Sequence, residues 1–122
     1  MKGVCDMIGI LVTTHGKLAE GIIDSGTMIG GSQDNVHHVS LTGDGIEQYV
    51  EKLTELLAEL RKNYSEILIL TDVKGGTPYN ESFRYVLTNN LDDTMKIVTG
   101  VNLPMYLETV LLSNGTSLEE LA

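Results

Sequence analysis

Four strand-like segments, each followed by a longer segment of helical character, constrain this chain more than any other feature. The first, Met7-Ile8-Gly9-Ile10-Leu11-Val12, and the third, Ile67-Leu68-Ile69-Leu70, carry no polar side chain. A strand without a polar face has nothing to turn toward water, so both suit the interior of a sheet covered on its two sides. Val36 to Leu41 and Met95 to Thr99 supply a second and a fourth strand of mixed polarity.

The helices follow from spacing. Leu18, Ile22, Ser25 and Ile29 recur at helical intervals after the first strand, and Gly30-Gly31-Ser32 closes that pattern. The polar turn Thr42-Gly43-Asp44-Gly45 leads into the strongest stripe of the chain, with Asp44 as the expected N-cap. Ile46, Tyr49, Val50, Leu53, Leu56, Leu57 and Leu60 obey the i, i+3, i+4, i+7 rule, while Glu51, Lys52, Glu55, Glu59 and Arg61 fall elsewhere on the wheel. Pro78 favours the first turn of a third helix that runs to about Asn89. Asn102-Leu103-Pro104 turns the chain into a short helix, Met105 to Leu112. Ser117-Leu118-Glu119-Glu120 has the form of a capping box, which opens a further helix that the end at Ala122 cuts short.

Strand and helix alternating four times predict an α/β three-layer sandwich: a central, mainly parallel sheet with right-handed crossovers and helices on both faces. A first crossover to one side of strand one and a second to the other give the order 2-1-3-4. No repeat, linker or low-complexity tract divides the chain, so one domain is expected over residues 1–122.

Composition removes several classes of function. The formal charge of -9 repels nucleic acid and acidic membrane surfaces and favours a partner with a basic docking face. No stretch reaches 18 apolar residues, and Met1 to Asp6 lacks the apolar core of a secretory signal, so a cytoplasmic protein is expected. Cys5 is the only cysteine, which leaves no internal disulfide to form. His37 and His38 are adjacent on a strand and point to opposite faces, so they cannot share a metal and are read as packing or surface residues. Met28, Met95 and Met105 are read as core filling. Neither a GxxxxGK[ST] loop nor a GxGxxG fingerprint is present, which disfavours nucleotide chemistry.

Ligands of open α/β sheets collect beyond the carboxyl ends of the strands, where the strand order reverses. In the order 2-1-3-4 that point lies between strands one and three. The loop after strand one contains Thr14-His15-Gly16, and the loop after strand three contains Asp72 and Gly75-Gly76-Thr77. A carboxylate accepting one ring N–H of a neutral imidazole leaves the other nitrogen bare as a nucleophile, so Asp72 is the expected orienting partner of His15. A phosphoryl group on His15 would carry about two negative charges and needs donors. The amides of Gly16, Lys17, Gly75, Gly76 and Thr77 at two helix openings, the hydroxyls of Thr14 and Thr77, and the charge of Lys74 are the candidates.

Three segments carry a resemblance: Ile8-Gly9-Ile10-Leu11-Val12-Thr13-Thr14-His15-Gly16, Leu70-Thr71-Asp72-Val73-Lys74-Gly75-Gly76-Thr77-Pro78-Tyr79-Asn80, and Gly100-Val101-Asn102-Leu103-Pro104-Met105. Together they resemble the IIA component of the mannose-family (mannose, fructose, sorbose type) bacterial phosphotransferase system, over nearly the whole chain. The resemblance implies that His15 takes a phosphoryl group on Nε2 from the histidine-containing phosphocarrier protein. It then passes the group to a IIB component and, through it, to the membrane IIC and IID complex that imports sugar. Asp72 would orient His15, and Thr77 would donate a hydroxyl to the phosphoryl group. The resemblance further implies a homodimer that exchanges an edge strand, no metal and no organic cofactor, and at most a peripheral attachment to the inner membrane face through the transporter. It begins near Met7, which leaves Met1 to Asp6 as an added leader or the mark of a different initiation site. Two alternatives stand beside it: the phosphotransfer subunit of a dihydroxyacetone kinase system, against which Asn102-Leu103-Pro104-Met105 argues, and a non-enzymatic regulatory IIA-like module.

Overall fold

A computed structural model describes residues 8–113 and 118. Gly9–His15 forms β1, Leu18–Gly30 α1, Val36–Leu41 β2, Ile46–Asn63 α2, Ile67–Thr71 β3, Thr77–Thr88 α3, Met95–Val98 β4 and Leu103–Leu112 α4. The four strands make one sheet in the order β2-β1-β3-β4, and every pairing is parallel. The two wholly apolar runs lie in the central strands, with Ile10, Leu11, Val12, Leu68, Ile69 and Leu70 each at most 1% exposed.

Period-two alternation divides the core between the two faces of the sheet. Ile10, Val12, Leu68 and Leu70 pack against Ala19 and Ile22 of α1, Tyr106 and Val110 of α4, and Leu118. Leu11, Ile67 and Ile69 pack on the opposite face against Tyr49, Leu53, Leu57 and Leu60 of α2 and Val86 of α3. Burying each of these leucines stabilises the fold by about 2 kcal/mol. Among the described residues, no helix is long and apolar enough to cross a membrane.

Several local expectations shift. β1 does not stop at Val12 but runs through Thr13 and Thr14 to His15, because both threonines are buried with partners for their hydroxyls. The buried stripe of α1 is Ala19, Ile22 and Gly26, not Leu18, Ile22, Ser25 and Ile29; Leu18 is 45% and Ile29 65% exposed. Small residues turn inward there because α4 comes so close: a Cβ on Gly26 would lie 2.3 Å from the Tyr106 ring. Asp44 does not cap α2, whose N-cap is Gly45 without a side-chain bond. By contrast, Asn102 caps α4, its Oδ1 accepting the Met105 N–H at 2.8 Å, and the helix starts at Leu103, two residues before the expected Met105. Met95 is buried and Met105 partly so, but Met28 is exposed to solvent. His37 is half-buried edge-on to Tyr64, and His38 is exposed. The expected capping box, apart from Leu118, and the segment Met1 to Asp6 lie outside the described residues.

Candidate active site

β1 and β3 lie side by side with Thr13 opposite Thr71, so the residues that follow emerge together at the carboxyl end of the sheet. His15 is the last residue of β1, and Asp72 is the first after β3. The Asp72 Oδ2 accepts two hydrogen bonds from His15, one from its backbone N–H at 3.0 Å and one from Nδ1 at 2.9 Å. The other carboxylate oxygen, Oδ1, accepts the Val73 N–H at 2.9 Å. Since a carboxylate can only accept, Nδ1 carries the proton and Nε2 of the neutral ring is left with its lone pair.

The His15 side chain is 48% exposed and that of Asp72 only 10%. The nucleophile is therefore open to a docking molecule while its orienting partner is shielded. Burial would raise the Asp72 carboxyl, but the hydrogen bonds from the His15 backbone and ring outweigh it and hold the group below its ordinary value. Asp72 is also tied from behind. Its carbonyl accepts the Gly100 N–H at 3.2 Å, and that of Thr71 accepts the Val101 N–H at 3.0 Å. These tethers went unread in the sequence: Gly100-Val101 stands out as a motif, but only the fold shows that it anchors the end of β3.

The loop from Asp72 into α3 brings that helix against the imidazole. Gly75 adopts φ +86°, a left-handed turn that a side chain would strain, and the Asn80 Nδ2 closes the loop by donating to the Gly75 carbonyl at 2.9 Å. Gly76 is pressed to the ring so closely that a Cβ there would sit 3.0 Å from His15 Cε1 and 3.7 Å from Nε2. In α3 the Asn80 N–H reaches the Gly76 carbonyl at 2.8 Å; the amides of Thr77 and Tyr79 precede that bond, in the first turn, where helical N–H groups lack intrahelical acceptors. A helix opening of this kind favours an anion by roughly 0.3–1 kcal/mol. Lys74 is exposed in the same loop.

Not every expected donor faces outward. Thr14 is fully buried, and its Oγ1 accepts the Ala19 N–H at 2.8 Å, so this hydroxyl secures the start of α1 instead of reaching a ligand. The Gly16 N–H is committed to the Leu41 carbonyl at 2.7 Å and the Gly76 N–H to the Val73 carbonyl at 3.1 Å. Gly75 lies in the loop that leads into α3, and Thr77 is the first residue of that helix. Among the described residues, no group of three or more His, Cys, Asp or Glu side chains gathers as a metal site would require.

Fold and site together define a parallel α/β domain that presents a carboxylate-oriented histidine at the open ends of its strands. The chain matches the family described as "PTS system fructose IIA component" over residues 9–122. It is 33% identical over 116 residues to the "PTS system fructose-specific EIIA component" of Bacillus subtilis, covering 94% of this chain and 77% of that protein. It is also 33% identical over 105 residues to the "PTS system mannose-specific EIIAB component" of Escherichia coli K12, covering 85% of this chain but 31% of that longer protein. The crystal structure of the IIA protein associated with the fucose utilization operon of Streptococcus pneumoniae superposes with a TM-score of 0.86 at 32% identity. That match covers 97% of this chain and 88% of that one. The chain therefore belongs to the mannose-family IIA components of the sugar phosphotransferase system.

Proposed function

We propose that this protein is a phosphohistidine relay: His15 accepts a phosphoryl group on Nε2 from the histidine-containing phosphocarrier protein and passes it to a IIB component. Through IIB the group reaches sugar entering by the membrane IIC and IID proteins. The observation that carries this reading is the double hydrogen bond from His15 to the Asp72 Oδ2, which spends the Nδ1 proton and bares Nε2 on a half-exposed ring.

The chemistry is positional. The Nε2 lone pair forms a bond to phosphorus as the P–N bond to the carrier's imidazole breaks, its electron pair returning to the carrier nitrogen. Transfer of this kind passes through a loose transition state, so the protein mainly holds donor and acceptor in line. Asp72 keeps Nδ1–H engaged as the ring gains positive character. The first-turn amides of α3, the Thr77 hydroxyl, Gly75 and the screened charge of Lys74 receive the phosphoryl oxygens. Thr14, Gly16 and Gly76 contribute by shaping the site, as their polar groups are committed elsewhere.

The reading extends to a single IIA domain over residues 1–122, working in the cytoplasm as a homodimer without metal or organic cofactor. Incubation with phosphorylated carrier protein tests it. His15→Ala is expected to abolish phosphorylation with its melting temperature little changed, because the side chain lies at a strand end and is half-exposed. Phosphate uptake by His15→Ala at the wild-type level would reject the assignment.

A further inference from the structure

Tyr49 is the one aromatic residue in the apolar stripe of α2, and it is 2% exposed. A buried phenol needs a partner, and this one shares a 2.5 Å hydrogen bond with the Thr13 hydroxyl, 36 residues away in sequence. Thr13 is fully buried two residues before His15. Its register partner across the sheet is Thr71, also fully buried and one residue before Asp72. By alternation both side chains face the α2 and α3 side, as Leu11 and Ile69 do. The Thr71 hydroxyl and that of Ser82 on α3 are buried without a hydrogen-bond partner among the described residues.

The end of β1 is thus gripped from both faces. Thr13 is held by α2 through Tyr49, and Thr14 is held by α1 through the Ala19 amide. The next residue is His15, which must present its amide and its ring to one carboxylate oxygen. Burial pushes the Tyr49 hydroxyl up to about 12, with the Thr13 bond opposing and the charges of Asp72 and Glu81 adding to the rise. It therefore stays protonated at neutral pH and keeps its bond to Thr13.

We propose that Tyr49 is a positioning residue for phosphoryl transfer: through Thr13 it fixes the end of β1 where His15 can meet Asp72 with both backbone and ring. The inference rests on the reading of His15 as the phosphoryl acceptor. Without the Tyr49 hydroxyl, Thr13 would be left beside the equally unpartnered hydroxyl of its neighbour Thr71, and pairing between the two would draw the strand end toward β3.

Tyr49→Phe and Thr13→Val, singly and combined, test this with Thr13→Ser as the conservative variant. Two readouts are needed: the His15 Nδ1–H resonance in unphosphorylated protein, and kcat and KM for phosphorylation by the phosphorylated carrier. Tyr49→Phe is expected to shift the resonance and lower kcat on the order of 10-fold with KM unchanged. The double variant should be no worse than the worse single one, and Thr13→Ser should behave as wild type. A lower melting temperature with resonance and kcat unchanged would overturn the proposal, as would losses that add in the double variant or fall on KM alone. If wild-type protein takes up no phosphoryl group, the functional reading fails. The resonance comparison would still decide whether Tyr49 sets the His15–Asp72 geometry.

Discussion

Asp72 accepts two hydrogen bonds from His15 and one from Val73, and each favours its charged form. Its folded pKa lies below the ordinary 3.8, so the unfolded chain binds the proton more tightly. The stability this group contributes is therefore present above the unfolded value and is lost as pH falls through the folded one. Asp72→Asn should remove that part of the acid limb, so that denaturant midpoints of variant and wild type converge as pH falls below the unfolded value. At neutral pH the same variant should slow phosphoryl acceptance by about 10²-fold, with KM for the carrier nearly unchanged, because the orienting charge is lost and the docking surface is not. Equal transfer rates would remove Asp72 from the mechanism. His15 and Asp72 were legible in the sequence because each follows an apolar strand on neighbouring sides of a predicted switch point. Thr14 and Gly16 were not, since sequence position places a group near a site without saying which way its hydrogen bonds run.

At the level of elements, strands and helices were readable from periodicity, and the misreadings have physical causes. Thr13 and Thr14 look like a loop because they interrupt an apolar run. Their hydroxyls are instead matched to Tyr49 and to the Ala19 amide, which lets polar residues finish a buried strand. The phase of α1 was misjudged because Ala19 and Gly26 carry little hydrophobic signal, although close packing against Tyr106 selects small residues. A comparable close approach governs the start of α3 and gives a prediction. Gly76 has φ -78°, a conformation any residue adopts, so Gly76→Ala should change stability by no more than about 1 kcal/mol. Its added methyl would press on the His15 ring at 3.0 Å and should slow transfer on the order of 10-fold. Stopped-flow phosphorylation beside a denaturation curve checks both halves. A large loss of stability with transfer intact would contradict this view of the helix start.

Across the whole molecule, the sheet order decides the site. Only because β1 lies between β2 and β3 do the ends of β1 and β3 share one crevice, the order expected when the first two crossovers go to opposite sides of strand one. What the sequence left out is the tie from Gly100 and Val101 back to the end of β3. It joins a loop nearly thirty residues downstream to the backbone of Asp72 and arises only in the assembled fold. The central claim is that this assembly protects Nδ1 of His15 and exposes Nε2. Nitrogen-15 NMR of the protein phosphorylated by its carrier measures it most directly. The account predicts one phosphohistidine, at residue 15, with phosphorus coupled to Nε2 and the Nδ1 proton retained; phosphorus on Nδ1, or on any residue other than His15, would contradict it.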